Sequence, residues 1–171
     1  MKPLAVQMAI YSAYHSDPWN RASHYIGVPL IVFALLVALS WLRVPMTAAG
    51  PTAAYVFVAA VLVYYALLDA LLAAAVLAFI VPLLYAAGRI AADLPFGRSA
   101  AVAAAAFVGG WVFQLIGHAI EGRRPALMDN FFQVFIAPIF LIAELFFALG
   151  LRRELQASVR RQSQAHRAPP D

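Results

Sequence analysis

Between Thr52 and Gly88 the chain carries one charged side chain, Asp69, in an otherwise apolar run. A single helix through that run would be about 55 Å long, whereas the hydrocarbon core of a bilayer is about 30 Å thick. The run therefore predicts two membrane-spanning helices with a break near Asp69, although no glycine or proline marks a turn there. Composition agrees. The chain is 64% hydrophobic and 12% charged, against about 45–50% and about 25% in a soluble domain. That excess exceeds what one core can absorb, so lipid must solvate much of the surface.

The remaining segments fit the same frame. Residues 3–15 (PLAVQMAIYSAYH) read as an N-terminal amphipathic helix, partly buried or lying at the interface. Pro18 ends it, because proline lacks a donor and restricts the residue before it. Pro18 also suits the first turn of a second helix, capped by Ser16 or Asp17 and running to Leu42. Residues 89–98 (RIAADLPFGR) read as a loop. Ser99 to Gly117 form an alanine-rich span in which Gly109 and Gly110 allow close helix approach. Residues 118–130 read as a polar connector. Residues 131–150 form a fifth apolar segment, broken by Pro138 and carrying Glu144. A basic helix follows, with Leu151, Leu155 and Val159 on one face, and residues 162–171 read as a disordered tail. The expected architecture is all-α: a polytopic membrane protein, a bundle of four to five transmembrane segments in a single domain over residues 1–161. The first residues do not read as a signal peptide, since Tyr11, Tyr14, His15, Asp17 and Asn20 interrupt any short apolar core.

The chain has no cysteine, which excludes disulfides, thiolate metal sites and a cysteine nucleophile. There is no nucleophile elbow, no H-E-x-x-H and no phosphate-binding glycine loop. The formal charge of +4 gathers at segment ends, a pattern suited to an anionic membrane surface and not to nucleic acid. Parity then brings three histidines together. His15 and His24 lie at the entry to the first span, and His118 lies at the end of the fourth, on the same side. If the fifth segment does not cross, Lys2, Arg21, Arg123, Arg124, Arg152, Arg153, Arg160, Arg161 and Arg167 share that side, and Arg43, Arg89 and Arg98 lie opposite. Positive loops stay in the cytoplasm, so this arrangement puts the histidines at the cytoplasmic face, of a bacterial inner membrane by expectation. A fifth crossing would reverse the bias.

Neutral imidazole is a ligand for Fe(II), Zn(II), Cu(II) and Ni(II), and histidines with a carboxylate and open positions suit non-haem iron that binds dioxygen. A lone interfacial histidine is ordinarily just a polar group near headgroups; the convergence of three with Asn20, Gln114 and Glu121 is what points to a site. The expected metal ligands are His15, His24 and His118. Glu121, Asn20 and Glu144 are the candidate catalytic groups, with Asp129 a further carboxylate. Glu144 qualifies because a charge in an apolar segment is costly unless paired. Arg123 and Arg124 suit positive-inside anchors, and as the basic pair nearest the site they are the candidates for substrate binding. Asp69 reads as a helix-end residue, and His166 has no assigned role. The residues alone leave other classes open: a membrane zinc hydrolase, a non-enzymatic transport or assembly protein, and, less well supported, a bis-histidine haem protein.

Two blocks carry a family resemblance. The pattern Y-x-x-Y-H-x4-N-x3-H-x2-G-V-P appears as Tyr11, Tyr14, His15, Asn20, His24, Gly27, Val28 and Pro29, and WVFQLIGHAIEGRRPALMDNFFQVFIAPIFLIAE runs from Trp111 to Glu144. Together they resemble the membrane 2-hydroxy fatty acid dioxygenases known from fungi and widespread in bacteria. The resemblance implies an enzyme that uses ferrous iron and molecular oxygen to shorten 2-hydroxy fatty acids by one carbon, a step in phytosphingosine breakdown. It implies His15, His24 and His118 as ligands of non-haem Fe2+. Asn20, Glu121, Pro125, Asp129, Asn130, Pro138 and Glu144 match other positions of the pattern. The partners it implies are the 2-hydroxy fatty acid, oxygen and membrane lipid, and it is compatible with a homo-oligomer.

Overall fold

The computed structural model describes residues 2–45, 50–128 and 130–166. Among the described residues seven α-helices follow one another: α1 (Leu4–Ala13), α2 (Pro18–Ser40), α3 (Ala53–Leu68), α4 (Ala70–Asp93), α5 (Phe96–Glu121), α6 (Ala137–Ala148) and α7 (Arg153–His166). Two 3-10 turns, Ala126–Met128 and Phe131–Phe135, lead from α5 to α6. Among the described residues the only β pairing is one isolated antiparallel bridge, Arg43 to Thr52.

The break at Asp69 has a local cause. Asp69 is extended, at φ −163° and ψ 108°, and its carboxylate accepts the Leu72 amide at 3.1 Å. It thus ends α3 and caps α4, satisfying one of the amides that a helix start leaves without a partner. Among the described residues three helices are long and apolar enough to cross a membrane: α2, α4 and α5, of 23, 24 and 26 residues. At 1.5 Å per residue they reach about 35–39 Å. Helix α3, with 16 residues, reaches about 24 Å and falls short of a full crossing on its own length. Pro29 and Pro82 sit inside α2 and α4, as membrane helices tolerate.

Several boundaries differ from those read off the sequence. Helix α4 continues to Asp93, so the expected loop over residues 89–98 shrinks to Leu94 and Pro95. Arg89 and Asp93 explain this: they pair one turn apart at 2.6 Å and hold the final turn together. Helix α5 runs on to Glu121, so the polar connector begins after Glu121 and not at His118. Pro138 stands beside the break in the fifth segment, which falls between the 3-10 turn Phe131–Phe135 and Ala137. It sits in the first turn of α6, where the missing amide would have had no partner. At 12 residues α6 is about 18 Å long. Helix α7 extends to His166, past the Arg161 boundary drawn from composition, and residues 167–171 lie outside the described residues.

The chain divides into two compact units, Met1–Tyr25 with Gln114–Asp171, and Ile26–Phe113. In the first, α1 packs against α7 and α6. It buries Leu4, Met8, Ala9, Tyr11 and Ala13, while α6 buries Ile139, Phe140, Leu141, Ile142, Ala143 and Phe147. In the second, Leu36, Val37, Ala54, Val58, Ile80, Leu84, Ala87 and Ala103 form one core. Gly110 lets α5 approach α2 there: a Cβ at Gly110 would lie 2.8 Å from the Gly27 carbonyl oxygen. The buried Ser99 hydroxyl accepts the Trp41 indole N–H at 2.9 Å. Around that core Val63, Leu67, Tyr85 and Val108 stand more than half exposed. Large apolar side chains in such number facing outward mark a surface for lipid.

Candidate metal centre

The site is assembled within the first unit from the turn between α1 and α2 and from the end of α5. Helix α1 stops at Ala13, and His15 follows with its amide bonded to the Ser12 carbonyl at 3.2 Å. The Asp17 carboxylate then caps α2, accepting the amides of Trp19 at 2.8 Å and Asn20 at 3.1 Å. Pro18 occupies the first helical position, where its fixed φ is already helical. Asn20 and His24, four residues apart, project from one face of α2. At the far end of α5, Gly122 adopts φ +70°, a left-handed conformation that glycine reaches without strain. The Arg123 amide bonds back to the His118 carbonyl at 3.1 Å and the Gly122 amide to Ala119 at 3.3 Å. This Schellman closure fixes the last turn of α5, which carries His118 and Glu121.

His15, His24 and His118 are all buried, at 2%, 2% and 4% exposure, and one ring nitrogen from each lies within 4.8 Å of the others. The ring centroids are 4.5, 4.9 and 5.1 Å apart. Nδ1 of His15 lies 2.7 Å from the Tyr11 carbonyl and Nδ1 of His24 lies 2.8 Å from the Asn20 carbonyl. A carbonyl only accepts, so each Nδ1 carries the proton and each Nε2 presents a lone pair. Those two Nε2 atoms face each other at 3.1 Å. Two buried lone pairs at that distance repel unless a cation shares them, and a neutral imidazole fixed through its other nitrogen is the usual metal ligand. Burial, reinforced by the neighbouring His24, holds the His15 imidazole far below its ordinary pKa, so the ring stays neutral. The Tyr11 ring stacks flat on His15 at 4.0 Å and meets Phe140 at 4.8 Å, closing the apolar side. The donor set fits a divalent transition metal ion.

Asn20 is fully buried between these ligands. Its amide nitrogen donates to Glu121 Oε2 and to the Tyr14 carbonyl at 3.4 Å, and lies 3.4 Å from His118 Nδ1. Its Oδ1 has no hydrogen-bond partner and faces Gly117, where a Cβ would come within 2.5 Å. The other Glu121 oxygen, Oε1, accepts the Ser16 amide at 2.7 Å, the Ser16 hydroxyl at 2.6 Å and the Asp17 amide at 3.3 Å.

Of the residues expected from sequence, His15, His24, His118, Asn20 and Glu121 come together here. Glu144 forms a 2.9 Å ion pair with Arg21, which supplies the partner that a carboxylate in an apolar helix needs. Arg123 donates to the Ala13 carbonyl at 2.9 Å and so ties the connector to the end of α1. Arg124 is exposed in that connector. Asp129 lies outside the described residues. Sequence reasoning missed Tyr11 as the stacking partner of His15, Gly117 as the point of close approach, and Arg21 as the partner of Glu144. The four-residue spacing of Tyr11 and His15 was a usable signal, and so was a glycine directly before His118.

The profile of the Mpo1-like family, described as 2-hydroxy-palmitic acid dioxygenase Mpo1-like, matches residues 1–149. The 2-hydroxy-palmitic acid dioxygenase MPO1 of Saccharomyces cerevisiae is 32% identical over 160 residues, covering 91% of this chain and 87% of that protein. No solved structure matches.

Proposed function

The chain belongs to the Mpo1-like family, and from that premise we propose that it is an iron(II)-dependent dioxygenase that shortens 2-hydroxy fatty acids by one carbon in the membrane. The observation that carries this reading is the buried triad His15, His24 and His118, whose two Nε2 lone pairs converge at 3.1 Å, in a chain related to a protein named for that substrate. Ferrous iron held there would supply the one-electron chemistry that lets dioxygen react with a closed-shell acid. The overall change balances without an added reductant: R–CH(OH)–COOH and O2 give R–COOH, CO2 and H2O.

The protein's own groups have three tasks. The Tyr11 and Asn20 carbonyls fix the tautomer and direction of His15 and His24, so the imidazoles need no reorganisation to act as ligands. Tyr11 and Phe140 exclude water from one side of the cluster. Arg124 is exposed in the connector beyond His118, whereas Arg21, three residues before His24 on α2, is already paired with Glu144. Arg124 would draw the substrate carboxylate toward the centre, while its acyl chain stays in lipid. Arg123, held by Ala13, would keep the connector in place. With the fifth segment not crossing, the nine-to-three division of basic residues supports a cytoplasmic site.

Elemental analysis and an absorption spectrum of protein purified without added metal test the assignment. Iron without a Soret band is the expected result. Zinc in stoichiometric amount would favour a hydrolase, and the absence of any bound metal would overturn the reading.

A further inference from the structure

Glu121 occupies a position that its own helix disfavours. A carboxylate in the last turn of a helix meets the negative end of the macrodipole, and Glu121 is the final residue of α5. Its hydrogen bonds lead elsewhere. Oε1 accepts from the Ser16 amide, the Ser16 hydroxyl and the Asp17 amide, and Oε2 accepts from Asn20 Nδ2. The carboxylate therefore sits at the positive N-terminal end of α2, where amides lack helical partners and anionic charge is favoured. The group so gripped is the turn that carries His15 and the residue, Asn20, whose carbonyl orients His24. None of these four bonds goes to an imidazole.

We infer that Glu121 is a positioning residue: its carboxylate clamps the His15 turn and the start of α2 to the end of α5, and so sets the spacing of the three imidazoles without touching them. The inference rests on the proposed function in that the imidazoles are taken as metal ligands. Glutamine is a poor substitute for Glu121. A carboxylate accepts at both oxygens, whereas an amide must turn its NH2 either toward the three donors at Ser16 and Asp17 or toward the Asn20 NH2. The first choice opposes the NH2 to two backbone amides, and the second opposes it to the Asn20 NH2 unless Asn20 turns over and gives up its bond to the Tyr14 carbonyl. The Schellman closure at Gly122 denies the backbone the freedom to compensate.

The test is a titration of the metal-stripped full-length protein in detergent with Co(II), followed by its d–d absorption, for the unsubstituted chain and for Glu121→Gln, Ser16→Ala and Glu144→Gln. Glu121→Gln should raise the Co(II) Kd by about 10–100-fold and alter the d–d bands. At saturating Fe(II) its KM for the 2-hydroxy acid should stay near that of the unsubstituted protein. Ser16→Ala removes one bond of the clamp and should raise Kd by a smaller factor. The double substitution should fall short of the product of the two, because both act through one contact. Glu144→Gln should bind Co(II) as the unsubstituted protein does. An unchanged Kd and spectrum in Glu121→Gln, with kcat alone reduced, would overturn the inference and make Glu121 a group that acts on the reactants. A loss of thermal stability with unchanged Kd in Glu121→Gln and Ser16→Ala would also overturn it, as a structural role only. Failure of the unsubstituted protein to bind any metal would instead remove the proposed function itself.

Discussion

On the proposed reading the three imidazoles hold the metal and the Glu144 carboxylate does not, and substitution should separate them. His15→Ala, His24→Ala and His118→Ala each delete a donor from a buried set of three. Each should lose bound metal and turnover together, whereas His166→Ala should keep both; metal content per folded protein is the readout. The Arg21–Glu144 pair is of another kind. Its side chains are 36% and 23% exposed, so screening by solvent limits its worth to about 1 kcal/mol or less. Glu144→Gln should lower the melting temperature by a few degrees and leave metal content unchanged. Loss of metal in that variant would place Glu144 in the site.

At the scale of elements, the site exists because α2 and α5 come unusually close. At Gly117 a Cβ would meet Ser23 Oγ and lie 2.5 Å from Asn20 Oδ1 and 3.1 Å from Asn20 Cα. Backbone cannot yield as a side chain can, so Gly117→Ala must push the start of α2 away from His118. A cost of about 1–3 kcal/mol and a clear loss of metal affinity are expected. Gly109→Ala, where a Cβ meets nothing within 4 Å, is the matched control and should be neutral or slightly stabilising; thermal melts and metal titration of both variants decide. This element level also shows what the sequence could and could not reveal. Asp69 was readable as a break because an apolar run too long for one span must turn somewhere, and an aspartate is a ready cap. The three histidines were singled out by counting four crossings between them; they do come together, although α3, one of the four, is too short to cross on its own length. Boundaries at Asp93, Glu121 and Ala137 were not readable, because each depends on a local pairing or closure. Nor was Arg21 as the partner of Glu144, a contact across more than a hundred residues that no periodicity encodes.

For the whole molecule, the apolar exposure of the second unit and the basic residues of the chain make a single statement about the membrane. With no native cysteine, Met128→Cys, Gln164→Cys and Gly97→Cys can report sidedness at exposed positions. Met128 and Gln164 should label from the cytoplasm and Gly97 from the opposite side. Labelling of Met128 and Gln164 from different sides would contradict the charge-based orientation. The central claim, that the histidine triad holds iron for oxygen-dependent removal of one carbon, is most directly tested by the stoichiometry of turnover. Protein loaded with Fe(II) or with Zn(II) would be given a 2-hydroxy fatty acid, and oxygen uptake and acid product measured together. The account predicts one O2 consumed per acid one carbon shorter with iron, and no turnover with zinc. An equal yield from the zinc-loaded protein, or a shortened acid formed without oxygen uptake, would contradict it.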